Sequence, residues 1–554
     1  MFLEAFAFIV GIVQDRLKYA RGPSRTNGQI SILITRLCLI KQSCHHIWQV
    51  VTQTYEQDKL HQLTFSLSRL SSQVQKTSSL LTFFSRPATK ASWALSLAGL
   101  FAEPQPSHEI HNHTMAPSSE QKNIVIVGAG IIGSTTAYFL TRHPSYDPSK
   151  HKITLLEATS VASAASGKAG GLLALWAYPK SIVPLSFRLH QELAEEHGGK
   201  ERWGYRPVGV GAIELEGRRV PKGSIRAAVN DQDAKGKKEP VGTTHSGDVN
   251  PVGDDSGYEK NDVSLEKELG VDRKQLMKMG LPDDLDWVAG ESVKGYQSMA
   301  GEGQTAQVHP FQFTTSMARL AEEKGVGVVI GKCEKVVVEG GQVRGVQYKE
   351  KESGQEKTID GVTDVIVTAG PWSKKVWPGA PIGNLRAHSV CIRPSRPVSA
   401  YCLFTDIDLP KNFKEGVKSR AMNVTPEIYA RPNNELYACG EGDHMVPLPE
   451  TSADVEVDDA RCQDIVDYCA SFSDEMRDGE VLVRQACYLP QAEYGGGPLV
   501  GPTRTKGVWL AAGHTCWGIQ NGPGTGKLMS EYIFDGEATS ANVSGLDPRK
   551  TTRR

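Results

Sequence analysis

Residues Lys122–Glu157 open on KNIVIVGAGIIGSTTAYFL and close on KITLLE. The apolar run Ile124–Val127 predicts a strand buried on both faces. Gly128-Ala129-Gly130-Ile131-Ile132-Gly133 follows at once, and the apolar spacing from Thr135 to Leu140 predicts a helix. The G-x-G-x-x-G run therefore stands in its required context, between a strand and a helix. Gly128 permits the tight turn, Gly130 lets a pyrophosphate approach the backbone, and Gly133 lets helix and strand pack closely. The helix N-terminus, at Ile131 and Ile132, offers free N–H groups and a partial positive charge to phosphates. A second apolar strand, Ile153–Leu156, ends in Glu157, whose carboxylate is placed to accept hydrogen bonds from a ribose diol. This acid falls later than the usual ~20 residues because the polar loop His143–Lys150 lengthens the crossover. A lone glycine run could be only a tight turn between buried elements. With strand, helix, second strand and acidic end in order, the stretch predicts a site for an adenine dinucleotide.

The whole chain has 554 residues, enough for two or more domains and a large core. It is 39% hydrophobic and 23% charged with a formal net charge of −1, so no nucleic acid or acidic polymer is expected as a partner. The 10 cysteines are scattered without C-x-x-C spacing, which predicts reduced thiols in a non-secreted protein, no disulfide framework and no metal site. Residues 1–114 differ from the rest. Their opening MFLEAFAFIVGIV is interrupted by Glu4 and too short to cross a bilayer, so no integral membrane span is expected. Arg16, Lys18, Arg21, Arg25 and Arg36 follow in the manner of a mitochondrial presequence. Met115 then begins MAPSSEQKNIVIVGAG, a short polar lead of the kind that precedes a nucleotide-binding first strand. The expectation is a fold that begins at Met115 after a poorly ordered extension, in the cytoplasm or alternatively in mitochondria.

Beyond Glu157, the loop holding Ser166, Gly167, Lys168, Ala169, Gly170, Gly171 and Leu172 crowds small residues and one cation together. It could follow a phosphate chain, lie under a flat ring, or be a flexible surface loop. Leu185, Leu189 and Leu193 predict a helix ending at Gly198-Gly199. From Gly217 to about Asp262 the chain is polar and reads as a surface insertion, with helical character returning over 264–279. Pro310 opens a helix that ends at Gly325; Val326–Ile330 and Lys335–Val338 read as strands, and Gly340-Gly341 as a hairpin turn into Val343–Tyr348. Asp364–Ser373, DVIVTAGPWS, repeats the opening logic, a buried strand running into Ala369-Gly370 and a helix near Ser373. Ala387–Tyr488 alternates over short runs and predicts an antiparallel sheet with a helix near Ala460–Phe472. Gly507–His514 reads as a strand ending in a Gly-His turn, and a Gly-rich loop then leads into a helix after Pro523.

Four motifs now stand in one order: GAGIIG with Glu157, SGKAGGLLA, DVIVTAGPWS, and GVWLAAGHTCWGIQNGPGTGKLMSEYI. In this the chain resembles the FAD-dependent amine oxidoreductases of the D-amino-acid oxidase, glycine oxidase and sarcosine oxidase superfamily, and most of all a fungal branch of it. The resemblance runs from about Asn123 to Arg549. It implies FAD as cofactor, with Gly128–Gly133 at the pyrophosphate and Glu157 and Ala158 at the adenosine. Ser166–Leu172 would approach the diphosphate and flavin, with Ala369, Gly370 and Trp372 near the dinucleotide. Gly513, His514, Gly518, Ile519, Gln520 and Asn521 would reach the flavin ring. The chain departs from the pattern where glycine and D-amino-acid oxidases carry a substrate-gripping arginine, because the corresponding stretch is Gln485-Ala-Cys-Tyr-Leu-Pro490. Thr515-Cys516-Trp517 likewise lacks the arginine that glycine oxidases can carry after the Gly-His turn. Arg431 or Arg484 could hold a carboxylate instead, or be a surface or structural cation.

The expected fold is α/β, a doubly wound, Rossmann-like FAD-binding domain with an inserted mixed-sheet α+β substrate domain. The FAD-binding parts are expected at 121–215, 311–386 and 491–549, the insertion at 217–262, and the substrate domain at 263–310 and 387–490. The expected reaction is oxidation of a small-molecule primary or secondary amine, or an amino-acid-like substrate, by hydride transfer to flavin, with O2 as electron acceptor. An NAD-dependent dehydrogenase, or an FAD-binding protein with a structural or trafficking role, are the alternatives. His514 and Trp517 are the candidate catalytic residues, His514 as the titrating group near the flavin or else as a structural hydrogen bond at the end of its strand, with Trp176, Tyr488 and Trp517 lining the substrate pocket. Free glycine and small D-amino acids should be poor substrates, and bulkier or less acidic amines better ones.

Overall fold

The computed structural model describes residues 121–221, 226–227, 279–494 and 497–551, all within the compact unit His113–Arg554. The expectations for residues 1–114, for a start at Met115, for most of the polar insertion and for a helix over 264–279 lie outside the described residues.

Ile124, Val125 and Ile126 have no exposure, as an aliphatic run without polar alternation requires. Their strand, Lys122–Val127, pairs in parallel with His151–Glu157 on one side and Asp364–Val367 on the other. The full eight-stranded order is Glu356–Asp360, Gln342–Glu350, Gly327–Glu339, His151–Glu157, Lys122–Val127, Asp364–Val367, Val508–Ala512, Leu499–Pro502. One face is covered by helices Ile131–Leu140, Pro310–Glu322 and Gly518–Phe534, with Phe313, Met317 and Met529 in the shared core. The other face buries Val125 and Val127 against Val336, Val343 and Val346 of the antiparallel strands. Gly327–Glu339 is one strand where the sequence suggests two. It runs parallel to His151–Glu157 up to Ile330, then from Gly331 onward pairs antiparallel with Gln342–Glu350.

The second sheet has nine strands, centred on the antiparallel neighbours Glu480–Ala492, Ile382–Arg393, Glu435–Asp443, Glu427–Arg431 and Tyr401–Leu409. Alternate side chains of a strand go to opposite faces. One face packs Leu403, Ile428 and Leu436 on Cys462, Ile465 and Val466 of the helix Asp459–Ala470. The other turns Cys391, Cys402, Tyr429 and Tyr437 toward Leu172.

Two expected boundaries move. Gly209–Glu216, assigned above to the cofactor part, pairs in parallel with Tyr401–Leu409 and belongs to the second sheet. Ile382–Arg386 likewise already pairs with the Glu480–Ala492 strand, so the first sheet's segment ends before Ile382. Gly217 to Val220 is not surface insertion either: Arg218 N–H donates to Ser471 O at 2.8 Å, and Val220 is buried. Among the described residues no helix is long and apolar enough to cross a membrane.

Candidate functional site: a dinucleotide cradle beside an aromatic cluster

A cavity follows the carboxyl ends of the parallel strands, where open α/β sheets bind ligands. Gly128, Gly130, Ile131, Ile132, Glu157 and Ala158 line it. Gly128 has φ +108, and a Cβ there would stand 2.7 Å from Thr368 O, so turn conformation and close approach both demand glycine. A Cβ on Gly133 would stand 1.9 Å from Gly128 O, which makes Gly133 the residue that seats the helix on the turn rather than a ligand contact. At Gly130 a Cβ would meet only Ser166, at 3.0 Å, and otherwise the space is the cavity. Ile131 N–H donates to Ser166 Oγ at 2.9 Å. Ile132 N–H, at the positive end of the helix Ile131–Leu140, has no acceptor among the described residues.

Glu157 Oε2 accepts from Ala129 N–H at 2.9 Å and Oε1 from Thr159 N–H at 3.0 Å. Burial raises the pKa of this carboxyl, and the N–H groups of Ala129, Thr159 and Ala158 pull it back. The carboxylate thus braces the glycine turn while lining the cavity, and its remaining acceptor capacity is available to a ribose hydroxyl. Ala369, Gly370 and Trp372 complete the opposite wall; Trp372 is held by a 2.8 Å bond from its Nε1 to Pro449 O. The sequence reading missed the far end. There Lys332, Cys333 and Glu334 face Glu450, Thr451 and Ser452, closed by ion pairs of Glu450 with Lys332 at 2.8 Å and Lys375 at 2.7 Å. No motif marks these residues, because they reach the cavity through a strand's change of partner and a loop of the second sheet.

Of the Ser166–Leu172 loop, only Ser166 and Ala169 line this cavity. Gly167 and Gly171 are packing glycines, where a Cβ would stand 2.2 Å from Ala162 O and 2.1 Å from Val308 O respectively. Gly170 carries the ring of Tyr429, whose Cδ2 would be 1.9 Å from a Cβ. Lys168 Nζ donates to Ala486 O at 3.0 Å, and burial lowers its pKa. Leu172 is buried against the second sheet. The loop therefore joins the two sheets while offering its small residues to the cavity.

Gly513, His514, Gly518 and Ile519 line the cavity, but the glycines that follow do not form a loop. Helix Gly518–Phe534 already starts at Gly518 and contains Pro523. Pro523 frees the carbonyl of Ile519, and His190 Nε2 supplies the missing hydrogen bond at 3.0 Å. Burial pushes the His190 imidazole down to about 4. Cβ atoms on Gly522 and Gly526 would stand 2.6 Å from Ile131 and 2.5 Å from Thr135, so this run is a helix-packing surface. Gln520 and Asn521, expected at the flavin, instead hold the segment before the helix Val183–His197. Gln520 Oε1 accepts from Ala174 N–H at 2.7 Å and Asn521 Nδ2 donates to Tyr178 O at 2.9 Å. His514 hydrogen-bonds Thr525 Oγ1 at 3.0 Å, and burial pushes its pKa down to about 3. Buried and hydrogen-bonded, the neutral ring favours the structural of its two expected roles.

Beside the cradle, Trp517 meets Trp176 edge-on with centroids 5.3 Å apart, and Tyr178 at 6.0 Å. Trp176 meets Phe404 at 6.0 Å, Phe404 meets Tyr429 at 6.1 Å, and Tyr429 stacks on Tyr437 at 5.9 Å. Tyr488 is not part of this wall. Its neighbours in sequence alternate faces, and it points to the far side, donating to Val446 O at 3.0 Å. Arg484 shares that far face and bonds Asp459 O at 3.2 Å and Gln463 on the covering helix. Arg431 is buried on the near side, but its guanidinium donates to Ala169 O, pairs with Glu435 at 3.5 Å and lies 4.7 Å over the Tyr437 ring. It is a structural clamp between loop and sheet.

The cradle fits the ADP half of FAD: a Cβ-sized opening at Gly130, a helix N-terminus with an unmet N–H, and a carboxylate at the end of the second strand. Glu157→Ala is expected to weaken FAD binding by ~1–3 kcal/mol, the range for a charged hydrogen bond. Gly130→Val is expected to abolish binding while leaving the apoprotein folded, since only Ser166 must move. Fluorescence titration of apoprotein with FAD measures both, and unchanged affinity in both variants would place the cofactor elsewhere.

Comparison with known proteins agrees. The family described as "DAO: FAD dependent oxidoreductase" matches residues 123–532. The chain is 37% identical over 507 residues to "Putative oxidoreductase TDA3" of Saccharomyces cerevisiae, covering 78% of this chain and 95% of that protein. It is 34% identical over 446 residues to a second such oxidoreductase, C1F5.03c of Schizosaccharomyces pombe, covering 78% and 98%. Glycine oxidase from Geobacillus kaustophilus shares the fold at a TM-score of 0.51 and 16% identity, covering 79% of this chain and 100% of that one. L-proline dehydrogenase from P. horikoshii does so at 0.52 and 15%, covering 78% and 98%. The chain belongs to the FAD-dependent oxidoreductase family of D-amino-acid oxidase type.

Proposed function

We propose that this oxidoreductase acts on an amine, breaking the C–H bond next to nitrogen, with O2 as the final electron acceptor. FAD, when bound, supplies the hydride acceptor. The observation that carries the reading is the aromatic cluster of Trp176, Phe404, Tyr429 and Trp517, which joins the Gly-His turn to the second sheet. Such a cluster excludes water and holds the hydrocarbon part of a substrate by area burial and ring contacts. At the Gly-His turn neither titrating group is a base near neutrality: burial holds His514 neutral and pushes the Cys516 thiol up. A neutral amine can lose hydride directly to give an iminium, its nitrogen lone pair taking up the charge. The names of both solved relatives, glycine oxidase and L-proline dehydrogenase, concern amino-group substrates.

The chain also has reason to reject their substrates. Its near-side arginine is already engaged, and a carboxylate entering a dry pocket must exchange its water for a cation. Stopped-flow mixing of holoprotein under nitrogen tests the reading. Amines with bulky or aromatic substituents are expected to bleach the flavin at 450 nm, about the usual flavin band, and glycine and D-alanine at least ~10-fold more slowly, the discrimination about 1.4 kcal/mol gives. Bleaching by 2-hydroxy acids and by no amine would refute it.

A further inference from the structure

Glu427 stands on the face of the second sheet that carries Phe404, Tyr429 and Cys439, and among the described residues no ion pair to it is made. Its strand, Glu427–Arg431, places it directly opposite Phe404 on one neighbour and Cys439 on the other, so it shares their face. Its carboxylate accepts a hydrogen bond from the Tyr429 hydroxyl, two residues along. Burial raises the Glu427 pKa, and the Tyr429 bond only partly offsets this; no lysine, arginine or histidine among the described residues bears on it. Its charge does reach the Gly-His turn, where after burial it is the next cause that raises the Cys516 thiol. Glu427 is thus tied by its hydrogen bond to Tyr429, whose ring rests on Gly170. In the same aromatic cluster, against Phe404, Trp176 Nε1 is buried without a hydrogen-bond partner among the described residues.

Resting on the amine reading above, we propose that Glu427 and its aromatic surround recognise the substrate's ammonium group and that the Glu427 carboxylate takes one ammonium proton before hydride leaves the neutral amine, so that the preferred substrates are amines that arrive protonated and carry no carboxylate. A carboxylate in dry surroundings without a counter-charge is unfavourable, and a bound cation removes that penalty. The faces of Tyr429, Phe404 and Trp176 add attraction for the same cation. A substrate carboxylate in this position would meet a like charge, and the near-face Arg431 is already taken up by Ala169 O and Glu435.

The test uses the full chain with FAD bound. Benzylamine and N-methylbenzylamine are compared with phenylglycine and N-methylphenylglycine, the same amines with a carboxylate added, by anaerobic flavin bleaching. The carboxylate-free amines are expected to have second-order bleaching rates at least ~30-fold higher, of the order one like-charge contact in a partly buried site produces. Glu427→Gln is expected to raise the half-saturating benzylamine concentration at least ~10-fold and to narrow the gap between the two series. Because that variant can fail to hold FAD, a second measurement uses wild-type holoprotein. Benzyltrimethylammonium, whose nitrogen has no lone pair to form an iminium and so cannot lose hydride, should perturb the flavin spectrum and inhibit competitively, and benzoate should not. Faster bleaching by the carboxylated series, or tighter binding of benzoate, overturns the proposal while leaving amine oxidation standing. Bleaching by no amine of either series overturns the amine reading and this proposal with it.

Discussion

Gly133→Val is expected to produce a chain that neither melts cooperatively nor binds FAD. The Cβ alone would lie 1.9 Å from Gly128 O and 2.7 Å from Thr368 Oγ1, and the first of these is backbone that cannot rotate away. Relief requires the helix Ile131–Leu140 to lift from the strand Lys122–Val127. That helix also carries the tight seat of Gly526 against Thr135 and the hydrogen bond from Thr135 Oγ1 to Gly522 O at 2.8 Å. Overpacking a core usually costs ~1–3 kcal/mol, and here two helices and the sheet shift together, so the loss should reach at least the upper end. Against a typical total of ~5–15 kcal/mol, this is a large fraction. Gly130→Val is the control, since the same added volume one turn earlier meets only a serine side chain. Thermal melts of both apoproteins, followed by circular dichroism, check the contrast. A Gly133→Val protein as stable as wild type would show that the helix does not sit this close to the glycine turn.

Asp443→Ala is expected to lower the unfolding free energy by about 3–5 kcal/mol, the cost of leaving a buried charge without its partner. Asp443 and Arg386 are 7% and 3% exposed at their side chains, with Nη2 to Oδ1 at 3.2 Å and Nε to the two oxygens at 3.2 and 3.3 Å. Met445 N–H adds a donor at 2.8 Å and Arg461 a second cation at 3.5 Å. Burial alone would raise the Asp443 pKa, but the Met445 N–H and Arg386 outweigh it and hold the carboxyl below the usual range. A lowered folded pKa means the stabilisation is present above the unfolded value of about 4 and is lost as pH falls through the folded one. Urea unfolding of wild type should therefore show a stability loss below about pH 4 that Asp443→Ala lacks. Replacing both partners, Arg386→Met with Asp443→Leu, should recover much of the loss, because no charge is then stranded. Equal acid sensitivity in wild type and Asp443→Ala would contradict the assignment.

The parts of this protein that were legible in its sequence are those whose cause is local. The strand–glycine–helix unit, its partner strand ending in Glu157, the second nucleotide-facing turn at Ala369-Gly370 and the antiparallel character of the middle segment all depend on backbone freedom and apolar period. Both are written in adjacent residues. Even the departure from the arginine pattern could be read, since a missing residue type needs no coordinates.

What only the tertiary structure decided is which way residues point and what they meet. Tyr488 and Cys487 differ by one position along a strand, and the pleat sends Tyr488 to the far face while Cys487 stays near Lys168. Arg484 and Arg431 look alike in sequence, yet one bonds the helix on the back of the sheet and the other is consumed in clamping the loop. The glycines from Gly522 to Gly526 suggest a flexible loop, but packing against the first helix turns them into a contact surface, and Pro523 is tolerated because His190 arrives from a distant helix. Glu427 carries no motif at all. Its significance comes from charges that are not beside it and rings that are, an arrangement assembled from separate stretches of chain that no reading of neighbours along the sequence could foresee.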